Sequence, residues 1–187
     1  MTEALINALL EPDMFPHETT NIQLQETHIS WIILTGPFAY KIKKPVDFGF
    51  LDYSSLEKRR HFCEEEIRLN QRITSDLYLG VVPITGTLAS PVIDGAGPAI
   101  EYAVKMNQFE SGMLLSDLID NAELREVHVD WLARVVARFH QQTNVAADDS
   151  SYGTPDAVWQ PVEENYRQIR EVLDEPGLLK RLDAIDE

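Results

Sequence analysis

Cysteine is almost absent from this sequence, whose 187 residues include a single one, Cys63. A lone cysteine excludes a framework of internal disulfides and is typical of proteins in a reducing compartment. The sequence also lacks any apolar run near the roughly 18 residues of a membrane-spanning helix, and its first residues do not follow the signal-peptide pattern. We therefore expect a cytoplasmic protein with no membrane partner.

Basic residues are few, since 16 lysines and arginines stand against 31 aspartates and glutamates, for a net charge of -15 at pH 7. This excess disfavours general binding to nucleic acid, and we expect no nucleic-acid partner. The basic residues nevertheless concentrate in one basic island, made of Lys41, Lys43, Lys44, Lys58, Arg59 and Arg60. The island is either a site for an anion such as ATP or a solvated patch that balances nearby glutamates.

Several common kinds of catalytic site are missing from the sequence. No histidines and cysteines have the spacing of a zinc site, and no residues follow a nucleophile-base-acid pattern. The His-x-Asp sequence at His128-Val129-Asp130 has Val135 where a kinase catalytic loop has its asparagine. Because Val135 belongs to the apolar face of a predicted helix, we reject this loop and assign no catalytic residue and no metal ligand.

Apolar periodicity predicts about five strands before Met106 and helices after it. The strands fall within residues 22–35, interrupted near 26–28, and at 38–43, 77–84 and 99–106. A long charged helix, capped by Ser54 or Ser55, follows the third strand. This order predicts an α+β fold, with an antiparallel five-stranded sheet, one long helix packed on it, and an all-helical segment.

We divide the chain into an N-terminal helix and connector (1–20), a sheet segment (21–106) and a helical segment (107–187). The last predicted helix carries an apolar stripe that has no evident partner, formed by Leu178, Leu179, Leu182 and Ile185. We expect self-association through these C-terminal helices, because an uncovered apolar stripe tends to find a partner.

Lys41 ends a short strand, and Glu66 lies on the helix that follows it. Helical spacing puts Glu66 on one inward stripe with three apolar residues, Phe62, Leu69 and Ile73. A carboxylate that points inward needs a cation, so we predict an ion pair of Glu66 with Lys41 and keep Glu65 as the alternative partner. A strand lysine paired with a helix glutamate holds the α- and β-phosphates of ATP in kinases. We expect the neighbouring Lys43 and Lys44 to be solvated.

Five runs of the sequence carry a family likeness: residues 27–30 (THIS), 39–52 (AYKIKKPVDFGFLD), 60–66 (RHFCEEE), 69–70 (LN) and 78–79 (YL). In these runs the chain resembles bacterial proteins described as aminoglycoside phosphotransferase-like, which often carry a second, P-loop kinase-like domain. The resemblance covers residues 21–143. It implies a kinase-like fold with an ATP cleft between two lobes, in which 21–106 is the small lobe and 107–187 part of a helical large lobe.

The resemblance also implies a nucleotide site. Lys41 and Glu66 would hold the phosphates, the turn with Thr27, His28 and Ser30 would cover them, and Met106 and Asn107 would lie at the crossing between the lobes. The sequence departs from kinases in this turn, since residues 25–30 include no glycine. ATP is the expected cofactor, together with Mg²⁺, whose ligands we expect outside this chain along with the catalytic loop.

Two functions remain open from the sequence. The chain is either the ATP-binding portion of a kinase-like small-molecule phosphotransferase, inactive on its own, or a non-catalytic nucleotide-binding or regulatory module that keeps a kinase-like fold. Nothing in the sequence identifies the small molecule that would accept a phosphate.

Overall fold

The computed structural model describes residues 2–110 and 112–186. The fold is α+β, as the sequence predicts. Its strands are β1 (Gln23–Glu26), β2 (Ser30–Leu34), β3 (Phe38–Lys43), β4 (Tyr78–Thr87), β5 (Ser90–Ile93) and β6 (Glu101–Asn107). Its helices are α1 (Thr2–Ala8), α2 (Leu56–Asn70), α3 (Leu115–Asp120), α4 (Glu126–Gln142), α5 (Pro155–Val172) and α6 (Pro176–Asp186), with a 3-10 turn at Pro12–Met14.

The strands form one six-stranded sheet in the order β1-β2-β3-β6-β4-β5, and each neighbouring pair is antiparallel. Helix α2 connects β3 to β4. The sequence prediction missed β5, because Pro91 argues against a strand and the turn at Leu88 and Ala89 lacks the residues typical of hairpins. A proline is tolerated here because β5 is an edge strand.

Alternation along β3 gives the sheet two different faces. Tyr40 and Ile42 point to one face, where they belong to a buried apolar cluster with Leu5 of α1 and with Leu9, which follows α1 directly. Helix α1, which the sequence analysis placed in a segment separate from the sheet, therefore contributes to the core beneath the sheet. Lys41 and Lys43 point to the opposite face, where α2 lies.

The turn between β2 and β3 requires its glycine. Gly36 has a φ of +98°, and an added Cβ would lie 2.0 Å from the hydroxyl oxygen of Thr20. The Thr35 hydroxyl donates a hydrogen bond to the carbonyl oxygen of Phe38 at 2.7 Å and closes the turn. The start of β3, and hence the position of Lys41 along it, is fixed by this geometry.

Residues up to Gln141 form one compact unit, and residues from Gln142 onward form a second. The sheet segment ends near the expected boundary after Met106, and α3 and most of α4 are grouped with the sheet. In the second unit, α5 and α6 contact each other. Within the described residues, no helix combines the length and apolar character needed to cross a membrane.

Candidate functional site

Helix α2 places Glu66 against the sheet. The helix begins after Ser55, whose hydroxyl accepts a hydrogen bond from the backbone N–H of Lys58 at 3.2 Å, as one of the two predicted caps. The predicted inward stripe is wrong in part, because Leu69 and Ile73 are 45% and 51% exposed. The two buried residues of the helix are polar or small, Arg59 and Cys63.

The carboxylate of Glu66 is shared by two lysines of β3. The Lys41 Nζ donates to Glu66 Oε1 at 2.8 Å, which is the predicted ion pair, and the Lys43 Nζ donates to Oε2 at 2.6 Å. Glu65 pairs instead with Arg68, one turn farther along the helix surface, which removes it as the alternative partner.

The two lysines differ in their access to solvent. The side chain of Lys43 is 3% exposed, that of Glu66 is 12% exposed, and that of Lys41 is 26% exposed. The Lys43 ammonium also lies 5.0 Å from the centre of the Tyr53 ring. Our expectation that Lys43 is solvated is therefore wrong, because residues two apart on a strand share a face and α2 covers this one. The same expectation is wrong for Lys44, whose side chain is 15% exposed because it pairs with Glu26 and lies over the Trp31 ring.

Burial and ion pairing act in opposite directions on the pKa values of this cluster. Burial raises the pKa of Glu66, but the hydrogen bonds from Lys41 and Lys43 outweigh it and hold the pKa below its ordinary value of 4.5. Burial lowers the pKa of Lys43, but the hydrogen bond and charge of Glu66 outweigh it and raise the pKa above 10.5. Glu66 is therefore a carboxylate and Lys43 an ammonium group at neutral pH.

Cys63 lies in the same interface between α2 and the sheet and is fully buried, as expected for a packed thiol. Burial raises the pKa of this thiol to about 12. The thiolate is the reactive form of cysteine, and burial disfavours that form at Cys63.

A second buried ion pair, which the sequence analysis missed, fixes the start of α2. The Arg59 Nε donates to both carboxylate oxygens of Glu101 on β6, at 3.1 and 2.9 Å, and its Nη1 donates to the carbonyl oxygen of Tyr53 at 3.0 Å. No local pattern in the sequence indicated this pair, because Arg59 and Glu101 are 42 positions apart.

Most of the basic island is neutralised by pairing. Lys44 pairs with Glu26, Lys58 with Asp52 and Arg60 with Glu64. Together with the pair of Arg59, these contacts confine the excess positive charge to the group of Lys41, Lys43 and Glu66, which we call the Lys-Glu-Lys cluster.

Three of the predicted nucleotide-binding residues lie between β1 and the start of β2. The Thr27 hydroxyl accepts from the backbone N–H of Ser30 at 3.0 Å and so is used to build the turn. Ser30 is fully buried, its hydroxyl has no hydrogen-bond partner among residues 2–110 and 112–186, and it lies opposite Lys43 rather than Lys41. His28 is exposed. The structure therefore brings Ser30 to the buried end of the cluster.

Met106 and Asn107, the last two of the predicted nucleotide-binding residues, lie at the end of β6. Met106 is opposite Ala39, and Val104 is opposite Lys41, so Met106 shares the face and neighbourhood of Lys41. Asn107 is exposed, and its side-chain amide donates to the carbonyl oxygen of Asp76 at 2.7 Å, which holds the connection before β4. Met106 therefore lies beside the Lys-Glu-Lys cluster, whereas the side chain of Asn107 is used in its contact with the backbone of Asp76.

The structure also locates the rejected His-x-Asp sequence. His128 and Asp130 lie on helix α4. In the part of the chain that the structure describes, no group of three or more histidine, cysteine, aspartate and glutamate residues is arranged to hold a metal ion.

Similar sequences are found in mycobacteria. The chain is 30% identical over 153 residues to an uncharacterized protein of Mycobacterium bovis and to uncharacterized proteins of two strains of Mycobacterium tuberculosis. The match covers 82% of this chain and 29% of each relative, so the chain spans less than a third of their length. No protein-family model and no solved structure matches the chain.

Proposed function

We propose that this chain binds the phosphates of ATP through Lys41 and forms the ATP-binding portion of a kinase-like small-molecule phosphotransferase. The observation that carries the proposal is the 2.8 Å contact of Lys41 Nζ with Glu66 Oε1, between the third strand and the helix that follows it. This is the relation of the phosphate-binding lysine and its glutamate in protein kinases.

The chemistry of the cluster fits a polyphosphate. An ammonium group has three donors, so Lys41 can keep one hydrogen bond to Glu66 and direct the others to phosphate oxygens. The carboxylate limits the conformations of a long side chain, which reduces the entropy lost when the ligand binds. Met106, which lies on the same face and is partly exposed, offers apolar surface to a nucleobase.

The fit to the other parts of a kinase site is less complete. The turn over the phosphates has no glycine, and the described residues provide no carboxylate cluster for Mg²⁺. We therefore assign nucleotide binding to this chain and no step of phosphoryl transfer. In a kinase the metal ions bridge the β- and γ-phosphates, and their ligands would have to come from elsewhere.

Calorimetry of ATP, ADP and AMP binding, each with Mg²⁺, tests the proposal. We expect affinity to fall as phosphates are removed, and Lys41→Met to weaken ATP binding on the order of tenfold or more, the scale of a hydrogen bond to a charged group. Lys44→Met is the matched control. It removes the same charge three residues farther along the chain, from a lysine that pairs with Glu26 and not with Glu66. Absence of ATP binding, or equal losses in the two variants, would contradict the proposal.

A non-catalytic interaction module is the second candidate, and one observation favours it. A cavity of about 430 Å³ lies between α3 and α4, and its lining includes Leu115, Leu118, Trp131 and Leu132. Trp131 is 63% exposed, and an apolar groove of this kind is typical of a protein-binding surface. A chain that binds no nucleotide, and in which Trp131→Gln abolishes a protein contact, would support this alternative.

A further inference from the structure

The Lys-Glu-Lys cluster has one lysine more than a phosphate-binding ion pair needs. Lys41 and Lys43 contact different oxygens of the same carboxylate, at 2.8 and 2.6 Å. The two lysines have different surroundings, since Lys43 is almost completely buried and Lys41 keeps about a quarter of its side chain in solvent. A ligand in solution therefore meets Lys41 and not Lys43.

We propose that Lys43 is a positioning residue, which holds Glu66 permanently so that Lys41 can turn toward the phosphates of a bound nucleotide. This inference rests on the proposed function. Lys43 itself does not touch the ligand in this arrangement, and it acts through the carboxylate of Glu66.

A second lysine is energetically favourable here because Glu66 is largely buried. If Lys41 were its single cation, a shift of Lys41 toward phosphate would leave a largely buried carboxylate with a weakened partner, which is costly. Lys43 removes this cost because its contact with Oε2 stays in place. The cluster also keeps one net positive charge, and the difference in exposure makes that charge available at Lys41.

The surroundings of Lys43 support a fixed position. Its ammonium lies over the Tyr53 ring, and Tyr53 is buried and packs against Phe62 of α2. Ser30 lies opposite Lys43 on β2 and is also fully buried. A lysine enclosed in this way loses little further conformational freedom when a ligand binds, whereas Lys41 retains freedom to move.

A double-mutant cycle separates this role from direct contact with the ligand. We expect Lys43→Met to weaken binding of ATP with Mg²⁺ about tenfold in the natural sequence and less than about threefold in the Glu66→Gln background, because its effect passes through the carboxylate. Equal losses in both backgrounds would mean that Lys43 contacts the phosphates and would overturn the inference. No loss in the natural sequence would overturn it as well.

The same calorimetry distinguishes failure of this inference from failure of the proposed function. If Lys41→Met leaves ATP binding unchanged, the proposed function fails, and the role of Lys43 in binding fails with it. If Lys41→Met weakens binding and Lys43→Met does not, the proposed function stands and this inference alone is wrong.

NMR of the lysine side-chain nitrogens provides a test that does not depend on the folding of the Glu66 variant. The Lys41 and Lys43 Nζ resonances can be assigned by their disappearance in Lys41→Met and in Lys43→Met, respectively. On addition of ATP with Mg²⁺ to the unsubstituted chain, we expect the Lys41 resonance to move and the Lys43 resonance to stay in place. Movement of the Lys43 resonance alone would overturn the inference.

Discussion

At the scale of single residues, the position of Glu66 explains why strand β3 carries two lysines on one face at its end. Lys41 and Lys43 share a face and a partner, whereas Lys44 points away and pairs with Glu26. Because Lys41 and Lys43 differ in exposure, their chemically identical ammonium groups have different roles. Charge and spacing in the sequence indicated the partnership of Lys41 with Glu66 but not the burial of Lys43, because burial depends on how α2 covers the sheet.

The cluster predicts a specific dependence of stability on pH. The folded-state pKa of Glu66 is lowered, so its contribution to stability is present above the unfolded value of 4.5 and is lost as the pH falls through the lower folded value. The folded-state pKa of Lys43 is raised, so its contribution is present below 10.5 and is lost as the pH rises through the higher folded value. We expect a plateau of stability between these limits.

Urea unfolding from roughly pH 3 to pH 11 measures this dependence. Glu66→Gln should lower the plateau and reduce the decline on the acid side, since the titrating carboxylate is gone. Glu65→Gln is the control, because Glu65 pairs with Arg68 on the exposed side of the helix. A similar change in both variants would show that general surface charge, and not the buried cluster, causes the pH dependence.

At the scale of secondary-structure elements, α2 is fastened to the sheet by two buried ionic contacts. Glu66 pairs with β3 near the end of the helix, and Arg59 pairs with Glu101 of β6 near its beginning. These two attachments fix the helix along its length and so fix the position of Glu66 relative to Lys41. The geometry of the candidate site thus depends on a residue two helical turns away from it on the same face of α2.

Removal of one partner of the Arg59–Glu101 pair should be strongly destabilising. Glu101→Leu leaves the Arg59 guanidinium buried without its carboxylate, and we expect a loss of about 3–5 kcal/mol in the free energy of unfolding. The double variant Arg59→Met with Glu101→Leu should recover much of this loss, because no buried charge remains. Arg68→Met, which breaks an exposed pair of the same helix, serves as the control in chemical denaturation. A double variant no more stable than Glu101→Leu would contradict this account.

The sequence predicted most elements of the sheet because their signals are local. Strand alternation and the cap at Ser55 each depend on neighbouring residues. Strand β5 has no such signal, since its Pro91 and its turn residues argue against a hairpin. The Arg59–Glu101 pair joins residues 42 positions apart, and periodicity within either element could not predict it.

At the scale of the whole molecule, the main remaining feature is the apolar surface that the helices after β6 expose. In α4, Val127, Trp131 and Leu132 are largely exposed, and in α6 Ile185 is 70% exposed. The self-association expected from the α6 stripe therefore stays a prediction, with α4 as a further surface that can contribute.

Sedimentation at increasing concentration tests this self-association. We expect oligomers to form as concentration rises and Ile185→Lys to reduce them, because a charge in an apolar contact is costly. Trp131→Lys tests the α4 surface in the same experiment. A chain that stays monomeric at all concentrations would contradict the prediction, and an effect of Trp131→Lys alone would move the interface to α4.

The pair of Lys41 and Glu66 as a nucleotide-binding unit is the central claim, and a four-member cycle of ATP affinities tests it most directly. The chain, Lys41→Ala, Glu66→Ala and the double variant are titrated with ATP and Mg²⁺ in a calorimeter. Each single change should weaken binding, since one removes the phosphate ligand and the other its orientation. We predict that the double variant loses less than the sum of the two single losses, because both act on one interaction. Losses that add within about 0.5 kcal/mol would show that the two residues act independently and would contradict the account.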